Sequence, residues 1–345
     1  MVRQEAPNAR EELPVYLRIR MEQAEREFEE YDQYVRDAKL HNIKVNRFAL
    51  QMKSPFAALP ILCERFQLVE LLGESSCGIE LWKTFDLTLR QTVSLRISSD
   101  MLMIIYDHKA LARLDTTETL VGVSRDGIFT CTYEAQLYAM YALEYMEEDL
   151  ETFLLRQPRG RLIHAQADTV AHSVARCIQF LFIESRTSHC DLRPANILVS
   201  PNLMSVRVTN LKSSRSRREM LPTIPHHRVK EMSGAHLLYC PPEAFFCLER
   251  MGNTVSCSAA DVWALGVLYF VMLYGHHPLG PGLVDLPDSM KLHFVEQLRQ
   301  FEHVVFPDSP IIPQETKRTI QMCLEKDPSK RLDAASLIAD GWFLT

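Results

Sequence analysis

The sequence predicts an α+β fold in two lobes, a small β-rich lobe and a larger helical lobe, preceded by one long helix. Three observations predict it. Residues 65–97 read as three strands joined by turns, residues 168–183 and 262–274 are helical and apolar, and residues 10–45 are charged, glycine-free and heptad-spaced. With 345 residues and 47% hydrophobic content, the chain can bury one large core or two lobes.

Composition excludes several classes. Nine cysteines without Cys-x-x-Cys pairs read as reduced, buried small hydrophobes, so neither a disulfide framework nor a cysteine metal site is expected. The start Met1-Val-Arg-Gln-Glu-Ala-Pro7 has no secretory apolar run, and the longest apolar run is shorter than the ~20 residues a bilayer requires, so no membrane is expected. A net charge of -6 argues against direct nucleic-acid binding as the main activity.

In chain order, Leu17, Met21, Ala24, Phe28, Tyr31, Val35 and Ala38 recur at alternating steps of four and three. Two readings stay open: a helix packed along the globular part, or a coiled coil that makes a homodimer or heterodimer through residues 10–45. Pro55 and Pro60 close a linker, which divides the chain into 1–64 and 65–345, with lobes of about 65–143 and 147–345. The turn from Gly73 to Gly78 separates the first two strands, and two glycines there serve either an ordinary hairpin or a phosphate cradle. The third strand, 93–97, carries Arg96, and the helical segment 100–114 carries Asp107.

Residues 188–199, Ser-His-Cys-Asp-Leu-Arg-Pro-Ala-Asn-Ile-Leu-Val, set Asp191 five residues ahead of Asn196 on a loop backed by a β-prone tail. A carboxylate that accepts a hydroxyl proton and an amide oxygen that holds a metal are what phosphoryl transfer requires. The spacing resembles the catalytic loop of eukaryotic protein kinases. Pro241-Pro-Glu243, Arg331 and Asp261-Val-Trp-Ala-Leu-Gly266 fall in the order of that family's later motifs, so the resemblance covers residues 65–343. It implies a buried structural pair between Glu243 and Arg331, and an Asp261 carboxylate that bonds the catalytic-loop backbone.

Within kinases, Arg65-Phe-Gln-Leu-Val-Glu-Leu-Leu-Gly73, Phe85-Asp-Leu-Thr88, Pro241-Pro-Glu-Ala-Phe245 and Phe306-Pro307 resemble the Tousled-like serine/threonine kinases, as does the helix ending at Leu40-His-Asn42. That resemblance implies a dimerising coiled coil, a nuclear place and histone chaperones of the Asf class as substrates. It also assigns nucleotide contacts to Gly73, Gly78, Arg96, Leu143, Glu144 and Met146, an ion pair to Arg96 and Asp107, and metal contacts to Asn196 and Asn210.

The departures point away from catalysis. Ser75 stands in place of a loop glycine, Arg96 in place of the phosphate lysine, Cys190 in place of an arginine, and Asn210 and Lys212 in place of the metal-binding aspartate and the glycine two residues on. Mg2+ prefers charged oxygens in strict octahedral geometry. ATP is therefore expected to bind weakly and Mg2+ to be poorly held. The sequence reads as a pseudokinase that regulates or scaffolds, in the nucleus or the cytoplasm. Its rivals are a weak serine/threonine kinase using Asp191 as base, and an adaptor whose basic loop at 212–230 docks an acidic or phosphorylated client.

Overall fold

A charged helix of moderate propensity persists in water mainly through what it packs against. The computed structural model describes residues 15–75, 78–112, 114, 118–216, 220–246, 254–280 and 286–338. Helix α1 (Val15–Lys53) runs past the predicted end at residue 45, because no breaker precedes Ser54-Pro55.

The small lobe is a six-stranded antiparallel sheet in the order β1-β2-β3-β4-β6-β5. Its strands are β1 (Ile61–Leu62), β2 (Phe66–Glu74), β3 (Glu80–Asp86) and β4 (Gln91–Ser98), followed after helix α2 (Met101–Ala112) by β5 (Phe129–Tyr133) and β6 (Gln136–Glu144). Period-two alternation sends Phe66, Leu68, Trp82, Leu95, Ile97 and Met140 to one buried face. Phe56 and Leu62 join that core, so the small lobe is anchored ahead of Arg65. The two sheet edges curl together: the Phe66 and Phe129 rings are 5.1 Å apart and the Cys63 thiol donates to the Thr130 carbonyl. Tyr141 and Leu143, pointing the other way from β6, share a core with Ile104 and Leu111 of α2.

The chain then crosses to the larger lobe through β7 (Glu148–Asp149) and α3 (Leu150–Leu155), whose first turn is capped by the Asp149 carboxylate accepting from the Thr152 amide. Helix α4 (His164–Ile183) buries Val170, Val174 and Ile178, and short β8 (Thr187–Ser188) leads into the 188–199 loop. Strands β9 (Ile197–Val199) and β10 (Val206–Val208) form a hairpin, β11 (Arg215–Ser216) pairs with β8, and β12 (Met220–Pro222) precedes α5 (Gly234–Leu237). After β13 (Thr254–Ser256), helix α6 (Cys257–Tyr274) forms the centre of the lobe, flanked by α7 (Lys291–Gln300) and α8 (Gln314–Cys323). The length and composition of α6 suit a membrane span, yet 78% of it is buried inside the lobe. Gly266 allows α8 its close approach, since a Cβ there would stand 2.7 Å from the Cβ of Cys323.

Helix α1 docks on both lobes through a polar face. Lys39 bonds Glu151 at 2.9 Å, Arg47 reaches Asp149 at 3.7 Å, Arg159 pairs with Glu29, and the Leu71 amide donates to Gln51 Oε1 at 3.0 Å. Arg36 is buried beside Gly160. Of the heptad seam, Ala24, Tyr31 and Val35 are exposed and Ala38 is half-buried, and farther along the helix Val45 and Met52 are exposed as well. The seam side chains of Leu17, Met21 and Phe28 lie outside the described residues. The two open readings of this helix therefore concern different faces of it.

Candidate nucleotide cleft and phosphotransfer site

Between the lobes lies a cleft of ≈ 590 Å3 that brings together Gly73, Arg96, Asp107, Leu143, Glu144, Met146, Asp191, Asn196 and Asn210, within the size range of ligand sites. Nine of the residues singled out from the sequence thus converge from six different segments. Gly78, at φ +75° on the far side of the hairpin turn, does not line the cleft, and Lys83 turns its ammonium over the Tyr145 ring.

Arg96 arrives here by alternation. Leu95 and Ile97 face the sheet core, so Ser94 and Arg96 face the cleft. Arg96 Nη1 lies 2.5 Å from Asp107 Oδ2, and the same carboxylate accepts from the Tyr141 hydroxyl at 2.7 Å. The arginine–aspartate substitution thus preserves the strand-to-helix ion pair, while committing the guanidinium to Asp107 and Tyr141. Burial pushes the Tyr141 phenol well above its ordinary value.

Leu143 is buried at the back of the cleft. Glu144 turns its carboxylate toward the Arg207 guanidinium at 3.1 Å and the Gly122 amide at 3.2 Å, and its own amide donates to the Gly122 carbonyl at 2.8 Å. Arg47 from α1 also lines the cleft beside Asp149. No heptad reading of α1 points to it.

The catalytic loop is held from below by α6. The Asp261 carboxylate accepts from the amides of His189 at 2.6 Å and Cys190 at 2.8 Å. Burial raises its carboxyl to about 7, against those two bonds. His189, fully buried and held neutral by that burial, donates Nε2–H to the Thr209 carbonyl at 2.8 Å and accepts the Asp191 amide at Nδ1. Cys190 takes a φ of +65° at the bend. These contacts aim Asp191 into the cleft.

Asp191 is crowded by donors. His236 Nδ1 is 2.8 Å from Oδ1, Arg193 Nε is 3.3 Å from the same oxygen, and Asn196 Nδ2 donates to Oδ2 at 3.0 Å. Burial alone would raise this carboxyl, but the bond and charge of His236, then Arg193 and Asn196, bring it below the usual range. Reciprocally, Cys240 and the bond to Asp191 push His236 up to about 10, so it is an imidazolium at neutral pH. His236 escaped the sequence reading; its signal is a histidine in the apolar stretch just ahead of Pro241-Pro-Glu243.

Asn210 sits at φ +67° where a metal-binding carboxylate is expected, and its Nδ2 donates to Asn196 Oδ1 at 3.0 Å. The two residues assigned to a metal therefore bond each other. This donor set does not fit Mg2+: both groups are neutral amides, and the Asn196 oxygen already accepts a hydrogen bond. The Lys212 side chain and residues 217–219 of the basic loop, with Arg217 and Arg218, lie outside the described residues; Arg228 is exposed and reaches Glu231 at 3.5 Å.

Comparison with known proteins gives the family. The family model for the protein kinase domain matches residues 124–343. Tousled-like 2 serine/threonine-protein kinases of Xenopus tropicalis and Homo sapiens are each 24% identical over 337 residues, 91% of this chain and 46% and 41% of theirs. The TOUSLED kinase of Arabidopsis thaliana is 23% identical over 320 residues, 90% of this chain and 45% of its own. This chain spans less than half the length of these relatives. Kinase domains in general use ATP and Mg2+. On a bilobal fold, a loop pairing Asp191 with Asn196, the Glu243–Arg331 pair and a family match over most of its length, the chain belongs to the protein kinase family and is related to the Tousled-like serine/threonine kinases.

Proposed function

We propose that this chain is a catalytically impaired kinase homologue that acts as a regulatory or scaffolding module, pairing through α1 with an active Tousled-like kinase. The observation that carries the reading is the mutual hydrogen bond of Asn196 and Asn210, which leaves the metal position without a carboxylate from residue 210. The engagement of Asp191 by His236 and Arg193 adds to it, because a base already holding two cations accepts a hydroxyl proton less readily. Losing one preorganised partner typically costs a factor of ~100 to 1000 in rate, so losses at Arg96 and Asn210 together leave little turnover.

The exposed stripe of α1 supports pairing. The four-and-three alternation continues past Ala38 through Asn42, Val45, Ala49 and Met52, and a polar Asn at one such position is a known determinant of register. The occupant is a second helix of the same heptad pattern, in an active relative rather than in a further copy. By the same family resemblance, the protein works in the nucleus or cytoplasm, and the basic loop at 212–230 is a place for an acidic or phosphorylated client.

A weak serine/threonine kinase is the second reading, favoured by the intact Arg96–Asp107 pair and by Asp191 standing in the cleft. A thermal-shift titration with ATP, with and without Mg2+, combined with a radiolabelled phosphotransfer assay, separates the two. The impaired reading expects a small shift that Mg2+ does not enlarge. Turnover above ~0.1 per second that vanishes in Asp191→Asn overturns it, given the ~1 to 100 per second of active kinases.

A further inference from the structure

Two kinds of lining meet in the cleft between the lobes. One is apolar: Ile79 and Leu81 come from the small lobe, Leu198 from the large one, and Leu143 and Met146 from the crossing between them. The other is charged, and among the described residues its sign is negative. Three arginines line the cleft, and each faces a carboxylate that lines it too: Arg47 with Asp149 at 3.7 Å, Arg96 with Asp107 at 2.5 Å and Arg193 with Asp191 at 3.3 Å. Those charges cancel in pairs. Further carboxylates line the same space, from Glu74, Glu144, Glu147 and Glu148. Arg207 answers Glu144 and Arg156 answers Glu148 from outside the cleft, whereas Glu74 and Glu147 stand exposed at it.

This balance is the reverse of what a polyphosphate needs. The triphosphate of ATP is a polyanion that divalent cations neutralise in an active kinase. Here the Asn196 and Asn210 amides bond each other. A polyphosphate entering without a metal therefore meets like charge, and an arginine of the lining can turn to it only by stranding the carboxylate that it pairs with. The rest of the ligand meets no such penalty. A purine is uncharged at neutral pH and buries its faces on apolar side chains. Ribose hydroxyls donate to carboxylates, which phosphate oxygens, being acceptors, cannot do.

We propose that the cleft is a site for a purine nucleoside bearing no phosphate, and that it rejects ATP by charge. Selectivity of this kind comes from a repulsive element set against the competitor. The inference rests on the impaired-kinase reading, since a divalent ion held beside Asn210 would offset the surplus of carboxylates.

The test is calorimetric titration of the full chain with adenosine, AMP and ATP, with and without Mg2+, at low and at high NaCl. Without metal, adenosine should bind about tenfold tighter than ATP, with AMP between them. Added salt screens repulsion, so ATP should tighten as NaCl rises while adenosine does not change. Glu74→Gln combined with Glu147→Gln should likewise tighten ATP. Metal-free ATP that outbinds adenosine, ATP that weakens with added salt, or adenosine that fails to bind overturns the proposal and leaves the impaired-kinase reading standing. ATP that binds tightly only with Mg2+ and is turned over in the phosphotransfer assay overturns both.

Discussion

Arg331 grips Glu243 with two hydrogen bonds, Nη1 to Oε1 at 2.7 Å and Nη2 to Oε2 at 2.9 Å, and both side chains are shut off from water. The guanidinium also donates to the carbonyls of Ala259 and Glu325 and stacks over Trp263 at 5.1 Å. One arginine thereby ties the segment before α6, the helix itself and the turn after α8. Removing either partner strands the other charge in a dry site, so Glu243→Ala and Arg331→Ala should each cost ~3 to 5 kcal/mol of stability. Urea melts in which both variants match wild type would refute this; Asn210→Ala should change stability far less.

Restoring the missing carboxylate should not restore a kinase. In Asn210→Asp the residue-210 position regains its charge, but Asp191 remains held by His236 at 2.8 Å and Arg96 by Asp107. Phosphotransfer by this variant should stay within about tenfold of background, against the factor of ~100 to 1000 that one restored electrostatic partner is worth in a competent site. A gain of that full size would show that residue 210 alone limits the chain.

The contacts of His236 with Cys240 and Asp191 give stability a definite pH dependence. His236 has a folded-state value raised to about 10 from an ordinary 6.5. The folded state therefore binds the proton more tightly, and the contribution is complete below about 6.5 and fades as pH rises through 10. Denaturant midpoints should fall between pH 7 and pH 10 in wild type and fall less in His236→Asn. Equal slopes would place the imidazole away from both Cys240 and Asp191 in solution.

Phe56 stands immediately after α1 and is buried against Trp82 and Tyr138, with ring centroids at 6.3 Å and 4.8 Å. Truncation to alanine should cost ~3 to 5 kcal/mol. It should also loosen the upper end of α1, seen as faster amide exchange over residues 47–53.

Self-association or pairing through α1 should depend on the exposed seam and not on the docking face. Tyr31→Glu with Val45→Glu places charge on the stripe while sparing Arg36, Lys39 and Arg47. Sedimentation of wild type mixed with a Tousled-like relative should show a complex that this double variant loses. If neither the mixture nor wild type alone associates at high micromolar concentration, α1 serves only as a strap across its own lobes.

Sequence alone determined whatever depends on order and spacing. Asp191 and Asn196 share one loop, and Asp261, Glu243 and Arg331 were assigned by motif and hold the contacts expected of them. The family resemblance pairs Arg96 with Asp107, and the structure holds the two 2.5 Å apart. Tertiary structure decided the rest. His236 lies 45 residues from Asp191, and Asn210 lies 14 from Asn196, so both bonds exist only once α5 and the β9–β10 hairpin are packed around the loop. The docking face of α1 was hidden for a different reason: its contacts are ionic and scattered, and leave no apolar periodicity, whereas Tyr31 and Val35 of the periodic seam are exposed. Spacing records apolar burial, but a polar contact between distant segments is fixed only by where the folded backbone delivers its two ends.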